Sequence, residues 1–313
     1  MTERPCRYQF EAETRTPVAS NSIVASKSTA LEFWELTKPR LSLLAVITAI
    51  VGYLTALQNR EPIVLVALIF GTSLAAGGVG ALNQFMEREA DSRMARTRGR
   101  PIPSGSLTPG TALVFGLILC GAGNIALWLC VNQLSALLAV LTQITYLLAY
   151  TPLKKRTPWC THVGAIPGSI PPLIGWAAAE GTISTLGWIL FSILLFWQIP
   201  HFMAIAWTYR DDYSRAGFPI ASVTDPTGNV VSWQSLVTTI LLVTCSLLPT
   251  ALQFTSTFYS LIATIAGIWF LYYSICFLSR NNRDRAARRL FIVSIAYLPI
   301  LLGALVVDRI FLI

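Results

Sequence analysis

Seven long stretches without a single Asp, Glu, Lys or Arg dominate this chain of 313 residues. A helix needs about 20 mostly apolar residues to cross the hydrocarbon core of a bilayer, and five of the stretches have the right length for one helix each. They are residues 41–59, 62–86, 157–179, 181–209 and 290–307. The other two, 101–153 and 226–279, are each longer than 50 residues and therefore predict a pair of helices apiece.

The two longest stretches contain polar breaks, at 131–134 and at 253–257, where the helices of a pair can separate. The sequence thus predicts an all-α polytopic membrane protein with nine transmembrane helices. The apolar runs are too long and too uniform for the alternating strands of a membrane barrel. Composition agrees, since only 12% of the residues are charged, whereas soluble domains have about 25%. We expect a flexible cytoplasmic tail at 1–30 and one helical domain at 31–313.

Basic residues sort to one side of this bundle. Threading nine helices places 21 of the 23 Lys and Arg residues in the N-terminal segment and the loops after helices 2, 4, 6 and 8, and leaves Arg60 and Arg309 on the other side. Because cytoplasmic loops are enriched in Lys and Arg, we expect a cytoplasmic N-terminus and an outside C-terminus. The net charge of +8 then requires no nucleic acid partner.

The first 30 residues lack the apolar core of a signal peptide and contain three acids. Mitochondrial transit peptides are poor in acids. We therefore expect a bacterial inner (plasma) membrane.

An acidic stripe continues the second predicted helix at the cytoplasmic edge of the membrane. Asn83, Glu87 and Asp91 follow one another at intervals of four residues, so their side chains lie along one helix face at steps of about 6 Å. Such oxygen ligands suit Mg²⁺, which binds one or two protein carboxylates and completes its shell with water and phosphate oxygens. Neighbouring arginines supply forked donors for those phosphates. The alternative is that the acids only pair with arginines on a solvated helix end.

A second acidic window closes the sixth predicted helix. Residues 197–220 leave an apolar helix and reach the neighbouring carboxylates Asp211 and Asp212. Since both windows lie at the same membrane face, we expect one shared central site, which argues against a purely structural role for the acids.

Six segments together give the chain a resemblance to a known family. They are TKPR at 37–40, NQFMEREADSRMARTRGRP at 83–101, YTPLKKRTP at 150–158, GAIPGSIPPLIGW at 164–176, WQIPHFMAIAW at 197–207 and YRDDYSRAGFP at 209–219. They resemble the UbiA superfamily of intramembrane prenyltransferases. The arginine-rich run, the W-x-x-P-H-F pattern and the D-D-Y-x-x-A-G-x-P pattern are similar to its haem-modifying branch. The likeness covers roughly residues 30–310.

The resemblance implies a nine-helix bundle with a lateral cavity open to lipid, and transfer of farnesyl from farnesyl diphosphate to a vinyl group of haem B. The product, haem O, would pass to a downstream haem O-modifying enzyme. Asn83, Glu87 and Asp91 would hold Mg²⁺ as the cofactor, with Asp211 and Asp212 as further catalytic residues. The diphosphate would be bound by basic residues near the cytoplasmic face, namely Arg40, Arg96, Arg98, Arg100, Lys154, Lys155 and Arg215.

The sequence departs from the family pattern at two places. Glu87 stands where the superfamily commonly has Asp, which changes the reach of the carboxylate and keeps its charge. Many members also carry a second D-x-x-x-D pair, whereas Arg215 and Ala216 come four residues after Asp211 and Asp212. This departure argues against a complete second metal site.

A histidine inside an apolar helix is the candidate for the haem subsite. His201 follows Pro200, and a polar ring inside the membrane is costly unless it is paired. Because the W-x-x-P-H-F segment resembles the haem-modifying branch of the family, the resemblance implies that His201 is an axial iron ligand or a propionate partner, with Tyr209 also at the haem. The alternative is that His201 bonds the carbonyl that Pro200 leaves free.

Two other functions stay open. A transporter would carry ionisable residues near the membrane midplane on discontinuous helices, whereas most acids here lie at helix ends. A quinone-type aromatic prenyltransferase would keep the second D-x-x-x-D pair.

Overall fold

A computed structural model describes residues 28–56 and 61–312, and every regular element in these two ranges is helical. In chain order the elements are α1 (Thr29–Leu36), α2 (Pro39–Thr55), α3 (Pro62–Arg93), α4 (Pro109–Cys130), α5 (Gln133–Ile144), a π-helix (Thr145–Tyr150), α6 (Thr151–Leu153), α7 (Cys160–Ser169), α8 (Pro171–Glu180), α9 (Thr185–Thr208), α10 (Arg210–Arg215), α11 (Ala221–Thr224), α12 (Asn229–Ala251), α13 (Thr257–Phe277) and α14 (Arg283–Phe311). The all-α prediction is confirmed. Residues 1–27 of the predicted tail, and Arg60, lie outside the described residues.

Seven helices in the described ranges are long and apolar enough to cross a membrane, and the bent pair α1–α2 adds an eighth if it forms one span. The seven are α3, α4, the continuous run Gln133–Leu153, α9, α12, α13 and α14. The protein is therefore a polytopic membrane protein.

The predicted span 157–179 is not one straight helix. It breaks at Ile170 into α7 and α8, which have ten residues each. Pro171 and Pro172 have no N–H to continue the hydrogen-bond ladder of α7, and proline fits best in the first turn of a new helix. The count of nine transmembrane helices is therefore not confirmed.

Small residues bring the helices of the bundle close together. A Cβ added to Gly175 of α8 would lie 1.7 Å from the carbonyl oxygen of Ala49 on α2. One added to Gly78 of α3 would lie 2.6 Å from the backbone nitrogen of Cys120 on α4. Within a bilayer such close backbone approach is a main source of helix association, so α2 with α8 and α3 with α4 form tightly packed pairs.

The chain bends by 52° between α1 and α2. Leu36 at the end of α1 is fully buried, and the Phe33 ring lies 4.8 Å from the Phe115 ring of α4, between ring centres. Trp34, on the other face of α1, is 60% exposed. This two-sided pattern is typical of a helix that lies along a membrane interface.

Two charged residues that are adjacent in sequence, Asp308 and Arg309, are buried at the opposite end of the bundle. Asp308 of α14 accepts hydrogen bonds from the backbone N–H groups of Ser256 and Tyr259, at 2.9 and 3.2 Å. Arg309 donates through Nε to the carbonyl oxygen of Thr55 at 3.0 Å. These contacts join the end of α14 to the end of α2 and the start of α13.

Candidate active site

The acidic stripe occupies the last turns of α3 and is buried. Asn83, Glu87 and Asp91 are 1%, 3% and 0% exposed. Their common helix face is confirmed, because α3 continues without a break to Arg93. A solvated helix end would leave these side chains in water, so the alternative of a surface ion-pair ladder does not describe them.

Each stripe residue is paired with a cation from another part of the chain. The pairs are Lys38 Nζ with Asn83 Oδ1, Lys154 Nζ with both carboxylate oxygens of Glu87 at 3.2 Å, and Arg100 with Asp91 Oδ2 at 2.6 Å. Two of these cations, Lys154 and Arg100, belong to the predicted diphosphate-binding set. Basic side chains and two carboxylates therefore lie together in one cluster, where electrostatic interactions are stronger than in water.

Lys154 follows directly after α6 and is held at the stripe by its charge. Burial is the largest single influence on the pKa of Lys154 and lowers it, but the Glu87 carboxylate and the nearby Tyr213 and Tyr146 side chains together outweigh burial, and the pKa is raised above its usual value. The ammonium group also lies 4.7 Å from the centre of the Phe218 ring and 5.9 Å from that of Tyr213. Such cation–π contacts favour the charged form, so Lys154 is a permanent positive charge at the stripe.

Lys38 lies in the TKPR segment, but nothing in the sequence pattern singles it out as a site residue. Its backbone is left-handed, with φ 50° and ψ 60°, which is unfavourable for a residue with a side chain and more so before a proline. Gln84 fixes the preceding turn by donating through Nε2 to the carbonyl oxygens of Glu35 and Leu36, at 2.9 and 3.1 Å. Backbone strain persists only where its surroundings determine it, and here it accompanies a lysine amine directed onto the stripe.

The stripe offers the donor atoms that a divalent cation requires. Oδ1 of Asp91 is buried and has no hydrogen-bond partner within the described ranges, and an unpaired buried polar atom costs about 1–3 kcal/mol. No three His, Cys, Asp or Glu side chains in the same ranges come together as a metal cage. Asn83, Glu87 and Asp91 therefore fit Mg²⁺, which leaves several of its positions to water and phosphate oxygens.

The second acidic window meets the loop that follows the stripe. Asp212 of α10 is buried, and a hydrogen bond from Arg215 holds the pKa of its carboxyl below the usual value. Hydrogen bonds from the backbone N–H groups of Ala95 and Arg96 act in the same direction. The two windows are thus in contact, in agreement with a shared site. Asp211, by contrast, is exposed.

Arg96 connects the two windows through aromatic rings. Its guanidinium lies 5.3 Å from the centre of the Tyr209 ring and 5.9 Å from that of Tyr213. Tyr209 is 42% exposed, at the outer edge of this cluster. The remaining predicted diphosphate ligands are exposed, and the described part of the chain shows no contact between them and the stripe; they are Arg40, Arg98 and Lys155.

An apolar cavity of about 300 Å³ lies within the bundle, and Lys154, which pairs with Glu87 of the stripe, is one of its lining residues. Lys154 and Tyr213 line its polar end, and Thr72 of α3 lines a part deep between the helices. Leu41 and Leu44 of α2 also line the cavity and are 48% and 37% exposed. The cavity therefore reaches the outer surface of the bundle beside α2, as the expected lateral cavity would.

A π-helical turn places two tyrosines on the cavity wall. The π-helix Thr145–Tyr150 comes just before Pro152, which has no N–H with which to continue an α-helical ladder. The Thr151 hydroxyl donates to the carbonyl oxygen of Tyr146 at 2.9 Å and so pairs one of the carbonyls in this turn. Tyr146 and Tyr150 both line the cavity, with ring centres 5.1 Å apart. Such turns are frequent at functional sites.

His201 lines the same cavity from α9. Its Nδ1 lies 2.7 Å from Oγ of Ser294, and that hydroxyl donates to the carbonyl oxygen of Phe291 at 2.6 Å. Because the serine proton is used in this bond, we assign the histidine proton to Nδ1, which leaves Nε2 as an acceptor. The imidazole also stacks on Trp197, with 4.9 Å between ring centres. Nδ1 is therefore paired with Ser294 and not with the carbonyl that Pro200 leaves free.

The sequence of this chain is similar to those of known proteins over most of its length. Residues 45–295 match the model of the UbiA prenyltransferase family. A protohaem IX farnesyltransferase of Opitutus terrae is 50% identical over 289 residues, which cover 92% of this chain and 98% of the relative. Another, of Solibacter usitatus, is 44% identical over 288 residues and covers 89% and 98%.

Solved structures share the fold at low sequence identity. A digeranylgeranylglyceryl phosphate synthase has a TM-score of 0.76 at 20% identity, over 90% of this chain and 98% of that chain. A UbiA homologue of Archaeoglobus fulgidus, bound to GPP and Mg²⁺, has a TM-score of 0.63 at 11% identity, over 88% and 99%. The family match includes both acidic windows and most of the cavity wall. The chain belongs to the UbiA prenyltransferase family.

Proposed function

We propose that this chain transfers the farnesyl group of farnesyl diphosphate to a vinyl group of protohaem IX (haem B), giving haem O. The names of the relatives from Opitutus terrae and Solibacter usitatus support this choice of reaction. The observation that carries the proposal is the buried stripe of one amide and two carboxylates, which is connected to an apolar cavity through Lys154, a partner of Glu87 that lines the cavity wall. This arrangement matches a substrate with a diphosphate head and an isoprenoid chain.

Mg²⁺ is the proposed cofactor, held by Asn83, Glu87 and Asp91. The unpaired Oδ1 of Asp91 supports this assignment, as does the A. fulgidus homologue bound to GPP and Mg²⁺. When bound, the ion would supply charge neutralisation for the departing pyrophosphate.

The first step breaks the bond between the first farnesyl carbon and the bridging oxygen, and pyrophosphate leaves with the electron pair. Lys38, Lys154 and Arg100 lie at the stripe, where they stabilise the charge that grows on the phosphate oxygens. Arg96 in the loop after α3 and Arg215 at the end of α10 add further positive charge for the phosphate oxygens. Fixed charges of this kind act most strongly where water is excluded.

The allylic cation then reacts with the haem vinyl group. The vinyl π electrons form the new carbon–carbon bond, and the positive charge moves to the vinyl carbon next to the porphyrin. Water adds to that carbon and releases a proton to solvent, which leaves a hydroxyethylfarnesyl side chain. The rings of Tyr150 and Tyr213 on the cavity wall shelter the cation by cation–π attraction.

His201 is the proposed haem contact inside the membrane. Its unprotonated Nε2 suits an axial iron ligand, whereas a propionate would need a donor at this position. Replacing His201 by Ala should weaken haem binding and abolish the shift of the Soret band on adding haem, with farnesyl diphosphate affinity unchanged. Equal loss of affinity for both substrates would contradict this role. Tyr209, which is 42% exposed, is proposed as an outer haem contact.

The proposed location is a bacterial inner membrane, with the N-terminus in the cytoplasm and the C-terminus outside. The uneven distribution of Lys and Arg supports this orientation. Reporter fusions after Asn132 and Glu180 should report outside, and fusions after Arg100 and Lys155 should report inside. A reversed signal at any of these four positions would overturn the orientation.

A product assay tests the reaction itself. Membranes that contain the protein are supplied with haem B, farnesyl diphosphate and Mg²⁺, and the extracted pigment is examined by mass spectrometry. The haem should gain the mass of one farnesyl group plus water. Prenylation of a hydroxybenzoate in place of haem would indicate a quinone-type enzyme. Uptake of substrate into vesicles without any product would indicate a transporter.

A further inference from the structure

Gln198 of α9 carries an unpaired acceptor at the wall of the cavity. The residue is 6% exposed and lines the cavity. Its Nε2 donates to the carbonyl oxygens of Leu194 and Ala165, at 3.1 and 3.4 Å, and to Oγ of Ser169 at 3.0 Å. Carbonyl oxygens only accept, so the amide nitrogen must face them and the orientation of the amide is fixed. Oε1 accepts no hydrogen bond from any residue in the described ranges.

A second glutamine on the cavity wall has both polar atoms of its amide engaged. Gln143 donates through Nε2 to Oδ1 of Asn124 at 3.0 Å and accepts from Nδ2 of Asn124 at 2.9 Å. Such pairing is expected, because an amide in apolar surroundings is costly unless its polar atoms have partners. Gln198 therefore differs from Gln143 in keeping one acceptor available for a ligand.

The wall beside Oε1 of Gln198 supplies space and further acceptors. A Cβ added to Gly168 of α7 would lie 2.0 Å from this oxygen, so the glycine leaves room for the amide. Pro171 has no N–H, and the carbonyl of Pro167 thus loses the donor that an α-helix provides four residues later. Pro172 has the same effect on the carbonyl of Gly168. Since Pro167 and Gly168 both line the cavity, this part of the wall is rich in acceptors.

A ligand for these acceptors must carry hydrogen-bond donors. The farnesyl chain is a hydrocarbon, an iron porphyrin has no N–H, and its propionates are ionised at neutral pH. Water is the reactant with donors to offer. We propose that Gln198 binds the water molecule that adds to the haem vinyl carbon. This inference rests on the proposed function and assigns one of its steps to a residue.

An acceptor site directs how the water reacts. A water that donates its protons to Oε1 and to a backbone carbonyl keeps its lone pairs free for the new carbon–oxygen bond. A lone pair attacks the cationic carbon next to the porphyrin, and one proton then leaves to solvent. Without a placed water, the same cation loses a proton from the neighbouring carbon and becomes an alkene. Neither route oxidises or reduces the haem.

The position of Gln198 on α9 suits this role. Gln198 precedes His201 by three residues, and side chains at this spacing are neighbours on a helix, about 5–6 Å apart between Cβ atoms. Both residues line the cavity. A haem held at His201 therefore lies beside the proposed water.

The ratio of the two products tests this assignment. Membranes with each variant receive haem B, farnesyl diphosphate and Mg²⁺, and the pigments are separated by chromatography before mass spectrometry, so that water lost in the instrument is not counted. Gln198→Met removes the acceptor and keeps the length of the side chain. The alkene, lighter than haem O by one water, should rise about tenfold as a share of the product, because a neutral hydrogen bond is worth about that factor. An unchanged share would overturn the assignment.

Gln143→Met is the matched control, since it makes the same substitution on the same cavity wall. Whatever its total turnover, the alkene share should stay at the level of the unchanged chain. A rise equal to that of Gln198→Met would overturn the assignment, because general damage to the cavity would then explain both.

Gly168→Ala moves the same acceptor without changing Gln198. The three atoms nearest to the new Cβ all belong to the Gln198 amide, so the amide must shift and the alkene share should rise here as well. This variant decides if Gln198→Met does not fold. Folded variants of both kinds that make no farnesylated haem would overturn the inference, because a residue that places water leaves carbon–carbon bond formation intact. Failure of the unchanged chain to farnesylate haem would instead remove the proposed function.

Discussion

The two ends of the bundle both bury carboxylates beside arginine or lysine, yet their surroundings differ. At one end, Asp308 is fully buried and accepts from backbone N–H groups at the start of α13. At the other end, Asp91 is equally buried, but one of its oxygens faces an arginine side chain and the other has no partner among the described residues. Backbone donors cannot leave without unfolding a helix end, whereas side-chain cations can rotate away.

This difference distinguishes a structural carboxylate, Asp308, from the proposed metal ligand Asp91. Asp308 acts as a cap for α13, and its neighbour Arg309 ties the end of α2 to the same place. Asp91 keeps an oxygen available and is neutralised by a group that can be exchanged. Burial or charge alone would not distinguish the two, so the identity of the donor is the informative observation.

The largest effect on turnover is expected at the end of the bundle that carries Asp91. Asp91→Asn keeps the shape of the side chain and removes its charge, so farnesyl transfer to haem should fall about a thousandfold, equivalent to about 4 kcal/mol of barrier. Initial rates with purified protein, normalised to folded protein, give the measurement. Near-normal turnover at ordinary Mg²⁺ concentrations would show that Asp91, like Asp308, has only a structural role.

Lys154→Met tests whether a cation at the stripe acts on the transition state. We expect turnover to fall about a hundredfold, because the variant removes one fixed positive charge near the leaving group. Lys154→Arg keeps the charge and should recover part of the activity. A loss that Lys154→Arg does not relieve at all would show that shape, and not charge, matters at this position.

Asp308→Asn should affect stability and leave chemistry alone. Replacing a carboxylate that accepts several hydrogen bonds should lower the free energy of unfolding by about 2 kcal/mol, seen as a lower Tm in nanodiscs. Turnover per folded molecule should stay within about twofold of the parent. A large fall in turnover at unchanged Tm would mean that the far end of the bundle takes part in function.

Gln84→Leu should give the smallest effect of the four. This variant keeps the stripe intact but releases the carbonyl groups that fix the turn before Lys38, so the amine is held less firmly. We expect KM for farnesyl diphosphate to rise about tenfold with kcat changed much less, since a positioning contact is lost and no reacting group. The double variant Gln84→Leu with Lys38→Met should have the same KM for farnesyl diphosphate as Lys38→Met alone. Additive increases in KM would show that Gln84 does not act through Lys38.

The parts of the site that lie on one continuous helix could be predicted from the sequence. Asn83, Glu87 and Asp91 share a face because the helical period is a local property, and the structure keeps them on α3. The meeting of the two acidic windows was also predicted, from their common membrane face, and Asp212 does lie against the loop after the stripe. Helical period and membrane sidedness therefore fix which acids can meet.

Other features depend on contacts between distant parts of the chain. Lys38 reaches Asn83 because its own backbone is left-handed and because the chain bends by 52° between α1 and α2. Neither feature produces a periodic pattern in the sequence. Ser294 meets His201 from 93 residues away. Lack of charge predicts one helix at 157–179, but a double proline divides this segment into α7 and α8. The exposed Arg40, Arg98 and Lys155 show the same limit, because charge alone does not tell which basic side chains turn inward.

The opening beside α2, marked by the half-exposed Leu41 and Leu44, determines how the concentration of an oily substrate should be expressed. For a molecule that enters from the surrounding lipid, the relevant concentration is the number of substrate molecules per lipid molecule. Its concentration in the bulk buffer does not determine how much reaches the protein. Diluting the bilayer with inert lipid at constant total substrate should then slow the reaction. Half-saturation should stay constant only when it is given as a mole fraction, and detergent would act as a diluent in the same way.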